Sequence, residues 1–228
     1  MIIDAGKIPG EVHLVDHVPN AFAELVMRSR MRSLAISGGG TARRCYEQLA
    51  VTDDINWGAV DVFVSDERWV PLDDSDSNEG VARHACLDGV RPAEIFSLRH
   101  AAGDHADIDM AAEAYDALLR EHDPIDVCHL GFGSDGHTAS LFPGSEALQE
   151  TQRWVIATGD ELHPWPRLTF TFPAIAHCRT VVVTVAGAEK AAPLARLAAG
   201  DDLPAAHLAA ADSLVWLVDH AAAGDILR

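Results

Sequence analysis

Basic residues are scarce in this chain. Against 35 Asp and Glu stand only 17 Lys and Arg, a formal net charge of −18, with a pI near 4.8. A field of that sign opposes nucleic acid and anionic membrane surfaces. The acidity also serves solubility, and it makes any local cluster of cations informative, because an anionic ligand needs positive charge where it docks. Cysteine is sparse as well. Cys45, Cys86, Cys128 and Cys178 lie far apart and form no CxxC pair. That spacing suggests neither a zinc site nor a disulfide framework, and the four read as reduced core residues. No window approaches 18 consecutive apolar residues, so no membrane-spanning helix is expected. Residues 1–14 show no basic stretch with an apolar run behind it, so a cytoplasmic protein is the expectation.

What is present is an apolar content of 48% arranged in alternating strand and helix patterns. Strands are expected at 11–15, 33–36, 60–65, 95–98, 125–130, 154–157, 167–172, 180–185 and 213–218. Helices are expected from a cap at Asp16 or Asn20 to about Arg32, over 42–49, from Ser77-Asn78 to Leu87, and over 106–121. Two more run from about 188 to Gly200 and onward from a cap at Asp219. The strict alternation of residues 167–172 predicts a half-buried strand, and 154–172 is a candidate for strands of another direction. Strands alternating with helices argue for an α/β fold, a mostly parallel sheet covered on both faces. No repeat and no linker divides the chain, so one domain over 1–228 is expected.

The organising stretch is IDVCHLGFGSDGHTASLFPG, residues 125–144. A buried strand that breaks into glycines is how such proteins bring backbone close to a ligand. Asp135 and His137 are set in that turn. Imidazole titrates near neutrality and can take a proton from water and return it; Asp135 could fix its tautomer. His137 as a plain helix cap is the alternative. Most other histidines, such as His17, His100, His105 and His207, read as surface residues.

Two further loops follow strands, at 37–41 and 65–68. In a parallel sheet such loops collect at the carboxyl edge, where open α/β folds bind ligands. Ser37, Gly38, Gly39, Gly40 and Thr41 open a helix. Bare backbone N–H groups and the helix dipole together make an anion cradle, although the glycines could serve a tight turn alone. The loop is neither GxGxxG nor GxxxxGKS/T, which disfavours a dinucleotide site and a nucleotide P-loop. Arg68, Arg167 and Lys190 stand beside these loops as candidate cations, with solvated surface charge as the alternative. Asp66 and Glu67 are adjacent after a strand, and alternation sends only one of them into the cleft. They could orient sugar hydroxyls or hold Arg68 by an ion pair.

These pieces resemble the 6-phosphogluconolactonase family. The matching segments are SGGGTARRCYEQLA, NWGAVDVFVSDERWVPLDDSDSN, LGFGSDGHTASLFPG, RLTFTFPAI and VAGAEKA. LPAAHL followed by LVWLVDHAAA also fits, and the resemblance spans nearly the whole chain. It implies a three-layer αβα sandwich with a Rossmann-like sheet, similar to glucosamine-6-phosphate deaminase. It implies hydrolysis of 6-phospho-D-glucono-1,5-lactone in the pentose phosphate pathway, with no redox cofactor and no metal. It casts His137 as general base with Asp135 beside it. Residues 37–41, Arg167 and Lys190 look like the phosphate site, with Asp66 and Arg68 as further substrate contacts. The implied partner is a small sugar phosphate lactone; a monomer or weak homo-oligomer is expected. The chain departs from the family pattern at Gly40 and Ala42, where Gly40-Thr41-Ala42 stands in place of the usual Ser-Thr-Pro, at Asp74 and at Ala176. Deaminases resemble it at GxGxDGH but carry Glu five residues after the His, where Phe142 stands here. A sugar-phosphate sensor without catalysis is the rival from another class.

Overall fold

Nine of the eleven strands in this computed structural model, which describes residues 1–101, 103, 107–159 and 164–227, overlap the segments expected from apolar patterning, four of them running past an expected end by one residue. In chain order they are β1 (Ile2–Ile3), β2 (Glu11–Val15), β3 (Ser33–Ile36), β4 (Asp61–Val64), β5 (Asp66–Arg68), β6 (Glu94–Phe96), β7 (Val127–Gly131), β8 (Val155–Thr158), β9 (Arg167–Phe170), β10 (Thr180–Val185) and β11 (Ser213–Asp219). The main helices are α1 (Val18–Ser29), α2 (Gly40–Leu49), α3 (Asn78–Ala82), α4 (Asp88–Val90), α5 (Ile108–Glu121), α6 (Phe172–His177), α7 (Ala191–Ala199) and α8 (His220–Ala223).

Eight strands form one sheet in the order β1-β2-β11-β10-β7-β3-β4-β6, and β5-β9-β8 form a second. Only β1 runs antiparallel in the large sheet. Its central strands read as near-continuous apolar runs because both faces are covered. On β7, His129 meets Phe22 of α1 and Tyr46 of α2, while the neighbouring Cys128 meets Cys178 at the end of α6. Alternate side chains point to opposite faces, so α1 and α2 cover one face and the second sheet with α6 the other. Thr184 pairs with Gly131 and Ile36 with Val64. The carboxyl ends of β3, β4, β7 and β10 therefore lie along one edge.

Several expectations need correction. Neither Asp16 nor Asn20 caps α1: its N-cap is His17, which makes no side-chain cap bond, and Pro19 in the first turn has no N–H to satisfy. The helix stops at Ser29 because Arg30 turns left-handed, at φ 49°. The helix expected to run from 77 to 87 is capped by Ser77 but passes through a π turn at Arg83–Leu87. The helix expected from 106 starts at Ile108, capped by the Asp107 carboxylate; Ala106 and His105 lie outside the described residues. The strand of 167–172 is not half-buried: every residue of β9 is buried, and the chain turns helical at Phe172. Its polar alternates face a buried polar layer, not solvent. The second sheet is antiparallel throughout, as the change of direction expected over 154–172 requires.

Candidate active site

Glycine at 38 is dictated by contact. A Cβ there would lie 1.8 Å from Asn78 Oδ1. Asn78 occupies that space because its Nδ2 donates to the Asp66 carbonyl at 2.8 Å and its Oδ1 accepts from Arg68 Nη1 at 2.8 Å. One asparagine thus ties the glycine loop after β3 to β5. Arg68 Nη1 donates also to the Asp76 carbonyl at 2.7 Å. Of the two alternatives for Asp66 and Glu67, the ion pair with Arg68 is not formed among the described residues, and these two neutral acceptors hold the guanidinium instead.

β5 alternates as its pleat demands. Asp66 turns to the cleft and accepts from Ser140 Oγ at 2.9 Å. Glu67 turns the other way, into the start of α3, where it accepts the N–H groups of Asn78 and Glu79. Ser140 also accepts from Arg167 Nη1 at 3.4 Å, so Asp66, Ser140 and Arg167 form one buried chain. Arg167 is only 7% exposed and lies over the Phe142 ring. Holding a guanidinium there fixes its direction.

After β7 the chain turns at Gly133 to Gly136. A Cβ on Gly133 would stand 2.1 Å from His137 Nδ1, so only glycine lets the imidazole fold back over the turn. His137 Nδ1 lies 2.6 Å from Asp135 Oδ1, and the same oxygen accepts the His137 backbone N–H at 3.1 Å. Burial would raise the Asp135 carboxyl, but the bonds and charge of His137 hold it below the usual carboxylate range. The charged carboxylate accepts a hydrogen bond from Nδ1–H, which leaves the Nε2 lone pair as the basic site. No helix follows His137: Thr138 bridges to Leu141 in a tight turn, which removes the helix-cap alternative. The His137 ring packs 4.8 Å from that of Phe142 and keeps 32% of its side chain exposed.

The loop after β10 is pinned by Asp219, whose carboxylate accepts the Gly187 N–H at 3.0 Å while capping α8 through Ala222. Lys190 follows one turn later and makes no ion pair among the described residues.

All these loops open on one cleft of about 360 Å³. Ser37, Gly38, Gly39, Gly40, Thr41, Asp66, Arg68, His137, Arg167 and Lys190 line it, and Asp135 stands behind His137. Residues up to about 150 positions apart meet there. Arg44, Arg68, Arg167 and Lys190 face Asp66 and Glu189 across it. A net-positive cleft in a chain of charge −18 fits a small anion. Sequence reasoning missed Asn78, Ser140, Arg44 and Thr184. Arg44 had a signal, one turn after Thr41, whose Oγ1 it contacts at 3.3 Å; Asn78 and Ser140 had only their place in the segments that match the family.

His17, His100 and His207 are exposed as expected, whereas His129, on the buried strand β7, is not. It is fully buried between Tyr46 OH and Thr184 Oγ1, and burial pushes its pKa down to about 3. The unfolded chain binds a proton there below about pH 6.5, and the native chain does not until about pH 3. This contribution is therefore intact above pH 6.5 and shrinks as pH falls, by up to about 1.4 kcal/mol per unit. Urea unfolding at pH 7 and pH 5 is expected to show a pH slope about one proton shallower in His129→Asn than in the unaltered chain; equal slopes would show that His129 takes up its proton in the folded state.

The family model described as glucosamine-6-phosphate isomerases/6-phosphogluconolactonase matches residues 11–216. The chain is 39% identical over 210 residues to a 6-phosphogluconolactonase of Synechocystis sp., covering 86% of this chain and 85% of that one. It is 37% identical to one of Nostoc sp., covering 85% and 84%. Among solved structures, a 6-phosphogluconolactonase from Trypanosoma brucei superposes with a TM-score of 0.81 at 28% identity, covering 94% of this chain and 97% of that one. A monomeric glucosamine-6-phosphate deaminase shares the fold, with a TM-score of 0.78 at 20% identity over 95% and 99% of the chains.

Proposed function

Because the chain belongs to the glucosamine-6-phosphate isomerase/6-phosphogluconolactonase family, we propose that it hydrolyses 6-phospho-D-glucono-1,5-lactone to 6-phosphogluconate, a step of the pentose phosphate pathway, with His137 as general base. The observation that carries this reading is the Asp135–His137 pair, set in the same cleft as the glycine loop and four cations. One domain spanning 1–228 holds the site.

The phosphate sits over residues 38–41, with Lys190 and Arg167 closing on it. That anchors the far end of the sugar and brings the lactone carbonyl to His137. Nε2 takes a proton from water as the oxygen attacks the carbonyl carbon. Negative charge gathers on the carbonyl oxygen, facing cleft N–H groups and Arg68. When the tetrahedral intermediate collapses, the C–O bond to the ring oxygen breaks and the imidazolium returns its proton to that oxygen. Fixing the phosphate converts an encounter into a positioned reaction, which is why binding groups remote from the carbonyl matter.

A deaminase reading is disfavoured by Phe142. Ring opening of an amino sugar needs a proton carrier at this position, and a buried phenyl ring packed on His137 carries none. The test offers phosphogluconolactone and glucosamine 6-phosphate side by side to the purified chain. Turnover of lactone alone is expected; ammonia release from the amino sugar would overturn the reading. For Lys190→Ala the expected result is a KM raised about tenfold or more, with kcat changed far less, since a phosphate contact remote from the carbonyl acts mainly on binding. An unchanged KM would remove Lys190 from the phosphate site.

A further inference from the structure

A buried hydrogen-bond relay runs beneath the cleft, from Thr184 at its floor to the first residue of the glycine loop. Thr184 Oγ1 lies 2.9 Å from His129 Nε2, and His129 Nδ1 lies 3.0 Å from Tyr46 OH. Tyr46 OH accepts the Ser37 N–H at 2.8 Å and donates to the Ser37 carbonyl at 3.0 Å. Its single proton is thereby committed, so in the bond to His129 the phenol accepts and Nδ1–H donates. A neutral imidazole protonated on Nδ1 leaves Nε2 as acceptor, and Thr184 must donate to it. Every bond of the relay has one allowed direction, and the relay ends on the Ser37 carbonyl.

That direction matters for the next amide. The Ser37–Gly38 peptide is planar and trans, so its N–H points opposite its C=O. Tyr46 draws the carbonyl down into the core, where Tyr46 itself is 2% exposed. The Gly38 N–H is thereby turned the other way, towards the cleft that Gly38 lines, and no described residue accepts it. A peptide unit followed by glycine flips at little cost. A flipped unit would present a carbonyl oxygen to an incoming anion in place of a donor.

We propose that Tyr46 and His129 are positioning residues that hold the Ser37–Gly38 peptide with its N–H aimed at the substrate's phosphate. Neither touches the ligand; they act through the loop. The proposal rests on the phosphate-anchored reading of the cleft.

The test uses the full chain and Tyr46→Phe. KM for the phosphorylated lactone and the inhibition constant of inorganic phosphate are expected to rise together by about tenfold, the scale of one hydrogen bond to a charged group. Unphosphorylated gluconolactone, which lacks the anion, is expected to show the same kcat/KM in both proteins. A purely structural role would lower the urea midpoint and leave the phosphate constant in place, and that result overturns the proposal. Should Tyr46→Phe not fold, His129→Asn and His129→Leu decide. Asn keeps a donor near the Nδ1 position and is expected to bind phosphate more tightly than Leu; equal constants overturn the proposal. The amide resonance of Gly38 gives a readout independent of turnover. Adding inorganic phosphate is expected to move it strongly in the unaltered chain and weakly in Tyr46→Phe. A Gly38 amide that stays put while that of Thr41 moves overturns the proposal. If lactone is not turned over but the Tyr46-dependent shift is present, the lactonase reading falls and the relay stands.

Discussion

His137→Ala is expected to lower kcat by about 10²–10⁴-fold, the range a positioned general base contributes. KM is expected to stay within about threefold, because the phosphate anchor does not include the imidazole. The geometry behind this is specific. Asp135 Oδ1 holds Nδ1 at 2.6 Å and the backbone N–H of His137 at 3.1 Å, so the ring has one orientation and one basic nitrogen. Phe142 packs on the ring at 4.8 Å and limits its swing. Asp135→Asn should also lower kcat, since a carboxamide can present its own N–H to Nδ1 and favour the tautomer with the proton on Nε2. The two variants should not combine additively, because they disable one unit. Steady-state kinetics with a coupled dehydrogenase check the result, with correction for spontaneous lactone hydrolysis. A kcat near that of the unaltered chain in His137→Ala would remove the base assignment.

Glu67→Gln is expected to destabilise the fold by about 2–4 kcal/mol, the cost of mismatching several buried hydrogen bonds to one charged group. Glu67 is 2% exposed and accepts four donors: the N–H groups of Arg68, Asn78 and Glu79 at 2.8, 2.7 and 2.8 Å, and Ser77 Oγ at 2.9 Å. Burial pushes its carboxyl up to about 7, while the same four donors act to lower it. At pH 8 the group is charged, and all four neighbours donate to it. A glutamine would turn its NH₂ either toward the N–H groups of Arg68 and Asn78 or toward the Glu79 N–H and the Ser77 hydroxyl, so at least one buried backbone donor loses its acceptor. The loss should appear in urea unfolding at pH 8 and as a melting point lower by roughly 10 °C for a chain of this size. The consequence reaches the cleft, because Asn78 and Arg68 are placed by the backbone that Glu67 binds. A change below about 0.5 kcal/mol, the range of an ordinary surface substitution, would mean that the α3 start is held by other contacts.

The strand β7 and its turn were legible because two local signals coincide there. A β-branched and apolar run must be buried, and glycines in sequence must turn. The placement of Asp135 two residues before His137 made their contact a local matter. The same holds for the Asp219 cap and for the glycine loop opening α2, where short-range geometry decides.

Other features were not legible. The expected strand over 125–130 marked His129 for burial, unlike the exposed His17 or His100, but not what it would bond: its partners Tyr46 and Thr184 lie 83 and 55 positions away. The polar residues of β9 suggested a solvent face, yet Thr169 and Arg167 pack against Ser140. Ser77-Asn78 announced a helix start without announcing that Asn78 would cross to the glycine loop and Arg68.

Amino-acid order alone determined where strands and helices form, which turn carries the imidazole, and that an anion would need the few cations available, because these follow from burial periodicity and from contacts within a few residues. Tertiary structure alone decided which polar side chains are paired, which carboxylate of Asp66 and Glu67 meets the cleft, and how the loop amides are aimed. Those outcomes depend on the parallel register of β3, β4, β7 and β10, which brings partners dozens of residues apart within hydrogen-bonding distance.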